Sequence, residues 1–243
     1  MLAIWLTKML NSKRFLNAFA SIEKYLRERS LNGRRMSFYE LVEIVGESDR
    51  AVRRFEKDLK EYADLRNAIV HERSDGHVIA EPNDQAVDDI ERINSLLQKP
   101  PVLIPLFQTQ VVIFSTEESL ASAVKVMLDE SISQVPIYDG KEFAGLLTAN
   151  TIARWLGSCV DDDLFSLKET QIAQVLRYTE DTDSHIFLGR DSQIFEALES
   201  FQVYESRGKK LEAVLITGSG KPAEKILGIM TISDLPKALE AVK

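Results

Sequence analysis

The feature that most limits the fold of this 243-residue sequence is an internal repeat in its second half. The segment VVIFSTEESLASAVKVM (111–127) resembles SHIFLGRDSQIFEALESF (184–201). In the same order, QVPIYDGKEFAGLLTANTI (134–152) resembles EAVLITGSGKPAEKILGIMTISDL (212–235). Each copy has the pattern of a strand, a helix, two strands and a second helix. We expect the two copies to pack face to face about a pseudo-twofold axis and to leave clefts between them.

The first hundred residues instead show apolar positions at helical spacing. One helix is predicted to begin near Ser37, because Ser37 and Glu40 form a capping-box pattern. The other predicted helices cover 12–30, 48 or 49 through 71, and 84–98, with a short extended segment at 77–80. The predicted fold class is α+β, with an all-α helical bundle over 1–99 and a tandem of β-α-β-β-α repeats over 105–243, the repeats lying at about 105–158 and 166–240.

Composition limits the cellular setting and the partners. The single cysteine, Cys159, cannot form an intramolecular disulfide or a Cys-based zinc cluster, so we expect a reducing cytoplasm and no metal site. Lys8 interrupts the apolar opening, and we expect neither a signal peptide nor a membrane span. Residues 101–243 hold 13 Lys and Arg against 21 Asp and Glu, which accounts for the whole net charge of −8. Residues 1–35 hold eight Lys and Arg against two Asp and Glu, so a polyanion would meet them first.

Each repeat resembles a CBS domain, and the tandem resembles a Bateman module. The residues that carry the resemblance are VPIYDG with GLLTANTI in the first copy and GIMTISDL in the second. The resemblance implies a regulatory ligand that is an adenine nucleotide (AMP, ADP or ATP) or a related dinucleotide, with no other cofactor. A Thr hydroxyl between a strand and a helix suits a phosphate, and an Asp three residues later can accept hydrogen bonds from a ribose. Thr231, Ser233 and Asp234 fit these roles.

In similar modules the opposite repeat completes the cleft, and this implies the four further contacts Ser115, Thr116, Ile132 and Ser133. The matching cleft near Thr148 and Asn150 has Thr151 where the acid should be. We therefore expect one competent site and a weaker second cleft. The alternative is that Asp234 only caps the last helix.

A separate motif, DLRNAIVHER (64–73), lies in the helical part. Asn67 and His71 share a helix face, whereas Arg66 lies roughly 140° around the helix from His71, which favours a site completed by a second copy of the chain. The motif resembles the R-N-x-x-x-H of HEPN domains, which often form dimers and in many members cleave RNA without a metal. The resemblance implies that His71 is a general acid or base, that Arg66 stabilises charge on the phosphate and that Asn67 orients it.

Other interpretations of this part stay open. The helix could only build a dimer core, with Arg66 paired to Asp64 or Glu72. The same part could be a winged helix-turn-helix that binds DNA, with a recognition helix at 48–59 and a wing at 69–80, although residues 41–62 hold six acids against five bases. The predicted function is a nucleotide-sensing regulator in which the repeats modulate a dimeric HEPN-like domain that would cleave RNA. The alternatives are a ligand-controlled DNA-binding regulator and a non-catalytic nucleotide-binding scaffold.

Overall fold

The structure, a computed structural model, describes residues 2–30, 35–71, 73–74, 77–78, 81–160, 165–180 and 184–243. For residues 2–10, 71, 73–74 and 77–78 it describes the backbone only. The chain divides into two units, Met1–Pro101 and Val102–Ala241. Among the described residues, no helix has the length and apolar character needed to cross a bilayer.

The first unit is mainly helical. Its elements are α1 (Leu2–Arg29), α2 (Phe38–Ser48), α3 (Arg50–Arg54), α4 (Glu56–His71), β1 (Arg73–Ser74), β2 (His77–Val78) and α5 (Asp84–Gln98). The two short strands pair in antiparallel fashion. Of the extended segment predicted at 77–80, the described residues 77–78 form the second of these strands. Helix α1 begins ten residues before the predicted start at residue 12.

Helix ends in this unit follow from side chains that satisfy free backbone groups. The predicted capping box is confirmed, because the Ser37 amide donates to Glu40 Oε2 at 2.7 Å and the Glu40 amide donates to Ser37 Oγ at 3.3 Å. These hydrogen bonds lower the pKa of Glu40. Asp49 caps α3 by accepting from the amides of Ala51 and Val52. It also accepts from the Tyr25 hydroxyl of α1 at 2.6 Å.

The predicted unbroken helix through residue 71 is wrong at one position. Phe55 has φ −101° and ψ 13°, and its amide is shared between the carbonyls of Ala51 and Val52, which separates α3 from α4. The apolar stripe is nevertheless preserved across this turn. Val52, Phe55, Leu59 and Ile69 are all buried in the core of the first unit.

Helices α1 and α5 pack side by side through buried apolar residues and one charged cluster. Arg14 donates to both carboxylate oxygens of Glu91, at 3.0 and 2.6 Å, and to Asp88 at 2.9 Å. This pairing raises the pKa of Arg14 and lowers that of Glu91. The apolar contribution comes from fully buried side chains on both helices: Phe15, Ile22, Leu26, Ile90, Ile93 and Leu97.

The second unit contains the two repeats. After α6 (Leu103–Leu106), the first repeat has β3 (Phe114–Ser115), α7 (Leu120–Asp129), β4 (Gln134–Asp139), β5 (Glu142–Thr148) and α8 (Ala149–Ser158). Helix α9 (Ile172–Leu176) follows. The second repeat has β6 (His185–Gly189), α10 (Ile194–Ser206), β7 (Ala213–Thr217), β8 (Gly228–Met230), a 3₁₀ turn (Ile232–Asp234) and α11 (Leu235–Ala241).

Both repeats have the same sheet topology. The strand orders are β3-β4-β5 and β6-β7-β8, and in each the first pair is parallel and the second antiparallel. Because two parallel strands start at the same edge, the residues that precede them lie close together. The third strand ends at that edge, as the pairing of Gln134 with Thr148 shows. In each repeat, one edge therefore carries two strand starts and one strand-to-helix junction.

The repeats pack against each other through an apolar cluster. This cluster contains Leu146 of the first repeat and Ala213, Leu215 and Ile226 of the second. Aromatic rings extend it, since Phe143 lies 5.0 Å from Phe187 between ring centroids. This packing brings together the two sheet edges that carry the strand starts and the strand-to-helix junctions, and Gln134 Nε2 donates to the Glu212 carbonyl at 3.5 Å.

Candidate functional site

A cleft of about 550 Å³, here called cleft A, lies between the sheet edges that carry the strand starts and the strand-to-helix junctions of the two repeats. The second repeat contributes Ile229, Thr231, Ser233, Asp234 and Lys237. The first repeat contributes the residues before its two parallel strands, 106–112 and 130–134. The volume lies within the range of about 300–1,000 Å³ that is usual for small-molecule sites.

Cleft A brings together five of the seven ligand contacts expected from the sequence. Thr231, Ser233 and Asp234 lie opposite Ile132 and Ser133. The other two expected contacts, Ser115 and Thr116, are not among its lining residues.

Strand direction accounts for this displacement. Ser115 pairs with Tyr138 near the end of β4, roughly 16 Å along the strand from Ser133. The Ser115 amide donates to Glu118 at 2.6 Å, in the turn that leads into α7. The first repeat instead contributes the residues before β3, among them Thr109, Val111 and Val112. The signal that could have found them is the parallel pairing itself, which places the two strand starts at one edge.

Asp234 is held at the wall of cleft A by its own turn. Its Oδ2 accepts from the Thr231 amide at 2.8 Å and from the Thr231 hydroxyl at 3.1 Å. These bonds form a capping box, so Asp234 does cap the turn before α11. Both bonds use Oδ2, and Asp234 is half-buried. The carboxylate thus has a defined orientation at the cleft.

A second cavity of about 660 Å³, here called cleft B, has the same construction with the repeats exchanged. The first repeat contributes its strand-to-helix junction, with Thr148, Asn150 and Thr151. The second repeat contributes the residues before its two parallel strands: Thr179, Glu180, Ser184, Gly208, Lys209, Lys210 and Glu212. Both residues expected at the second cleft, Thr148 and Asn150, therefore line it.

Hydroxyl groups replace the acid in cleft B. The Thr148 and Thr151 hydroxyls lie 3.0 Å apart, and both residues are buried. Asn150 donates to Glu180 at 3.2 Å, and Lys210 pairs with Glu212 at 2.9 Å. The junction of cleft B is thus neutral, and Glu180 also pairs with Arg154, outside the lining, at 3.2 Å.

Residues 102–109, here called the lead segment, enter the first repeat but bind to the second. The amides of Leu103 and Ile104 donate to the carbonyls of Ser192 and Arg190, and the Thr109 amide donates to the Leu227 carbonyl. Gln108 forms a β-bridge with Gly228. The lead segment is therefore part of the sheet edge of the second repeat, and its last residues form one wall of cleft A.

Lys237 and Gly228 hold this wall in place. Lys237 Nζ donates to the Leu106 carbonyl at 2.6 Å and lies 5.1 Å from the centre of the Phe107 ring. A Cβ atom on Gly228 would lie 2.0 Å from the Phe107 carbonyl oxygen, so only glycine fits there without displacement.

The RNAIVH motif lies on α4 of the first unit. Arg66 Nη1 donates to Asn67 Oδ1 at 3.2 Å, with Asn67 exposed and Arg66 half-buried. Asp64, one of the two acids considered as a partner for Arg66, accepts from the Tyr39 hydroxyl at 2.6 Å. This bond raises the pKa of Tyr39. His71 is the last residue of α4, and its side chain, like Glu72, lies outside the described part.

In the winged-helix interpretation, the short strands β1 and β2 lie within the predicted wing, and Arg53 lies in the predicted recognition helix. Arg53 Nε donates to the Gly46 carbonyl at 2.8 Å, and Nη2 donates to the Glu47 carbonyl at 2.6 Å. Arg53 therefore satisfies the free carbonyls at the end of α2. Within the described residues, no cluster of three or more His, Cys, Asp or Glu could hold a metal ion.

Several solved structures are similar to part of this chain. The CBS domain pair of protein MJ0100, crystallised with 5′-methylthioadenosine and S-adenosyl-L-methionine, aligns with a TM-score of 0.44 and 15% identity, over 59% of this chain and 99% of that one. A signal-transduction protein with CBS domains from Burkholderia ambifaria aligns with a TM-score of 0.40 and 20% identity, over 54% and 84%. Protein MJ1225 from Methanocaldococcus jannaschii, described as an archaeal homologue of g-AMPK, aligns with a TM-score of 0.44 and 13% identity, over 73% of this chain and 63% of that one.

A match to a family model covers the first repeat alone. No curated protein matches this chain. Residues 104–158 match the model of the CBS domain. The second repeat has the same strand order and the same pairing, parallel and then antiparallel. The chain therefore contains a CBS domain at residues 104–158, paired with a second repeat of the same topology.

Proposed function

We propose that this protein is a regulator whose CBS pair binds an adenosine-containing ligand in cleft A. The observation that carries the proposal is that Thr231, Ser233 and Asp234 share one cavity with Ile132 and Ser133 of the other repeat. The half-buried carboxylate of Asp234 accepts from the ribose hydroxyls. Val111 and Ile132 offer apolar contact for the base at the opposite wall.

Ligand binding in cleft A acts on the lead segment. This segment follows directly after Pro101, where the first unit ends, and its residues Leu106–Thr109 line the cleft. A ligand shifts a conformational equilibrium only by its difference in affinity for the two states. In our proposal, the occupied cleft favours one position of the lead segment and so changes the activity of the first unit.

The first unit acts, in this proposal, as a HEPN-like dimer that cleaves RNA without a metal. Arg66 and Asn67 are adjacent at 3.2 Å on a partly exposed face of α4, which suits contact with a phosphate. Because His71 lies five residues from Arg66 on the same helix, the site would combine Arg66 of one chain with His71 of a second chain.

Ligand binding is tested by isothermal titration of the full chain with adenosine and AMP, on wild type and Asp234→Asn. We expect Asp234→Asn to weaken binding at least about tenfold, which is about 1.4 kcal/mol. Glu224→Gln is the matched control, because Glu224 also caps a turn of the second repeat, accepting from the Ser219 amide at 2.6 Å, but does not line cleft A. Absence of binding to wild type would refute the proposal.

The RNA-cleaving site is tested by mixing two inactive variants, Arg66→Ala and His71→Ala. A site shared between two chains would regain roughly a quarter of wild-type activity in an equal mixture, because half of the dimers are mixed and each of these has one intact site. No recovery would mean that each chain carries its own site. If wild type itself does not cleave RNA, the non-catalytic scaffold remains, and salt-dependent binding to duplex DNA would favour the DNA-binding regulator.

A further inference from the structure

Three charged side chains line cleft A: Glu130, Asp234 and Lys237. Two are acidic. Asp234 lies at the strand-to-helix junction, where it accepts from the ribose in our proposal, so a phosphate on that ribose would lie near its carboxylate. The exposed Glu130 follows α7 at the other side of the cleft. The lining therefore has more negative than positive charge.

Two of the groups that could attract a phosphate already have partners within the protein. The amide of Thr231 donates to Asp234 Oδ2 at 2.8 Å, so a carboxylate of the protein occupies that donor. Lys237 is the single cationic side chain among the described lining residues, and it donates to the Leu106 carbonyl at 2.6 Å. Helix α11 has seven residues and offers little dipole for an anion.

The surroundings of the cleft act in the same direction. Residues 101–243 hold 13 Lys and Arg against 21 Asp and Glu. A surplus of acidic side chains gives a negative local potential, which repels a polyanion and weakens as salt is added. A triphosphate in cleft A would thus add negative charge beside two acidic side chains, Glu130 and Asp234, with one cationic side chain, Lys237, among the described lining residues to offset it.

We infer that cleft A selects an adenosine derivative whose 5′ substituent is neutral or cationic and discriminates against ADP and ATP. The inference rests on the proposed function of cleft A as an adenosine site. It narrows the ligand class to nucleosides and to adenosine carrying a group such as a sulfonium. The cause of the selectivity is the charge of the lining.

The test is isothermal titration of the full chain with adenosine, S-adenosylmethionine, AMP, ADP and ATP, without magnesium, at low and high salt. We expect affinity to fall as phosphates are added, with ATP at least about tenfold weaker than adenosine at low salt. The difference should shrink at high salt, because exposed charges are then screened.

Glu130→Gln separates charge from shape. It should raise the affinity for ATP about two- to fivefold relative to that for adenosine, since it removes one exposed acid. Glu142→Gln is the matched control, because Glu142 is an exposed acid in the same repeat that does not line cleft A. Binding of ATP as tight as that of adenosine, or no effect of Glu130→Gln, overturns the inference and leaves the adenosine site standing. If none of the five ligands binds, the proposed function fails and the inference fails with it.

Discussion

Clefts A and B are made from corresponding segments of the two repeats, yet they differ in chemistry. Each combines the strand-to-helix junction of one repeat with two strand starts of the other. Cleft A has a half-buried carboxylate at its junction, Asp234, whereas cleft B has the buried hydroxyl of Thr151. The shared topology places both cavities, and the residue at one junction position separates their expected ligands.

The clefts also differ in how tightly the backbone is packed beside them. Gly228 and Gly145 occupy corresponding positions in GIMT and GLLT. A Cβ atom on Gly228 would meet the Phe107 carbonyl oxygen at 2.0 Å, because the lead segment crosses there. A Cβ atom on Gly145 would lie 3.5 Å from Leu176 Cδ2, which is an ordinary contact, but Gly145 has a φ of +154°, which other residues rarely adopt. The same residue type is thus needed for space in one repeat and for backbone conformation in the other.

The largest effect is expected from Gly228→Ala, which should reduce the free energy of unfolding by about 3 kcal/mol or more, because the backbone must move to admit the methyl group. Gly145→Ala should cost about 1–2 kcal/mol, from the unfavourable φ alone. Urea-induced unfolding of the full chain, followed by circular dichroism, measures both. A larger loss for Gly145→Ala would contradict the comparison.

Exchange of the junction residues should change the number of ligands bound. Thr151→Asp supplies cleft B with the acid of cleft A, so we expect isothermal titration with adenosine to show two sites per chain in place of one. Asp234→Thr should weaken binding in cleft A by about tenfold or more, which is about 1.4 kcal/mol. A folded Thr151→Asp variant, confirmed by its melting temperature, that still binds one adenosine would show that the acid alone does not make the site.

Removal of the Lys237 amine should weaken the attachment of the lead segment, which forms one wall of cleft A. Lys237→Gln loses the hydrogen bond to the Leu106 carbonyl and the contact with the Phe107 ring, worth about 1 kcal/mol together. Faster amide exchange over residues 103–109, seen by mass spectrometry, is the expected result. Lys225→Gln is the control, as an exposed lysine of the same repeat outside both clefts. Equal exchange in the two variants would contradict this role.

The smallest effect concerns Tyr138, for which the corresponding residue of the second repeat is Ile216. Its hydroxyl donates to the Pro222 carbonyl at 3.1 Å, and burial raises its pKa. The folded state therefore favours the neutral phenol. The stability that depends on this neutral form is fully present below the ordinary pKa of about 10 and is lost as the pH rises through the raised pKa of the folded state. Tyr138→Phe should cost about 0.5 kcal/mol near pH 7 and reduce the alkaline loss of stability measured by urea unfolding. An unchanged slope above pH 10 would count against it.

Local sequence signals predicted part of this structure well. The repeat, the capping box of Ser37 and Glu40 and the family of the first repeat follow from patterns within a few residues. The break at Phe55 was missed because Phe55 belongs to the same apolar stripe as its neighbours, so periodicity does not reveal it. The displacement of Ser115 and the course of the lead segment depend on strand direction and on pairing between distant residues. Such pairing is not encoded in local spacing.

The attachment of the lead segment to the second repeat also has a consequence for the order of folding during synthesis. Residues 103–109 form hydrogen bonds with residues 190, 192 and 227, which are translated more than 80 residues later. Contacts so distant along the chain form late, because a long loop must first close. A ribosome-bound chain that stops before Leu227 therefore lacks the acceptor of the Thr109 amide and the Thr231–Asp234 side of cleft A. Only a chain translated through both repeats therefore has a complete cleft A.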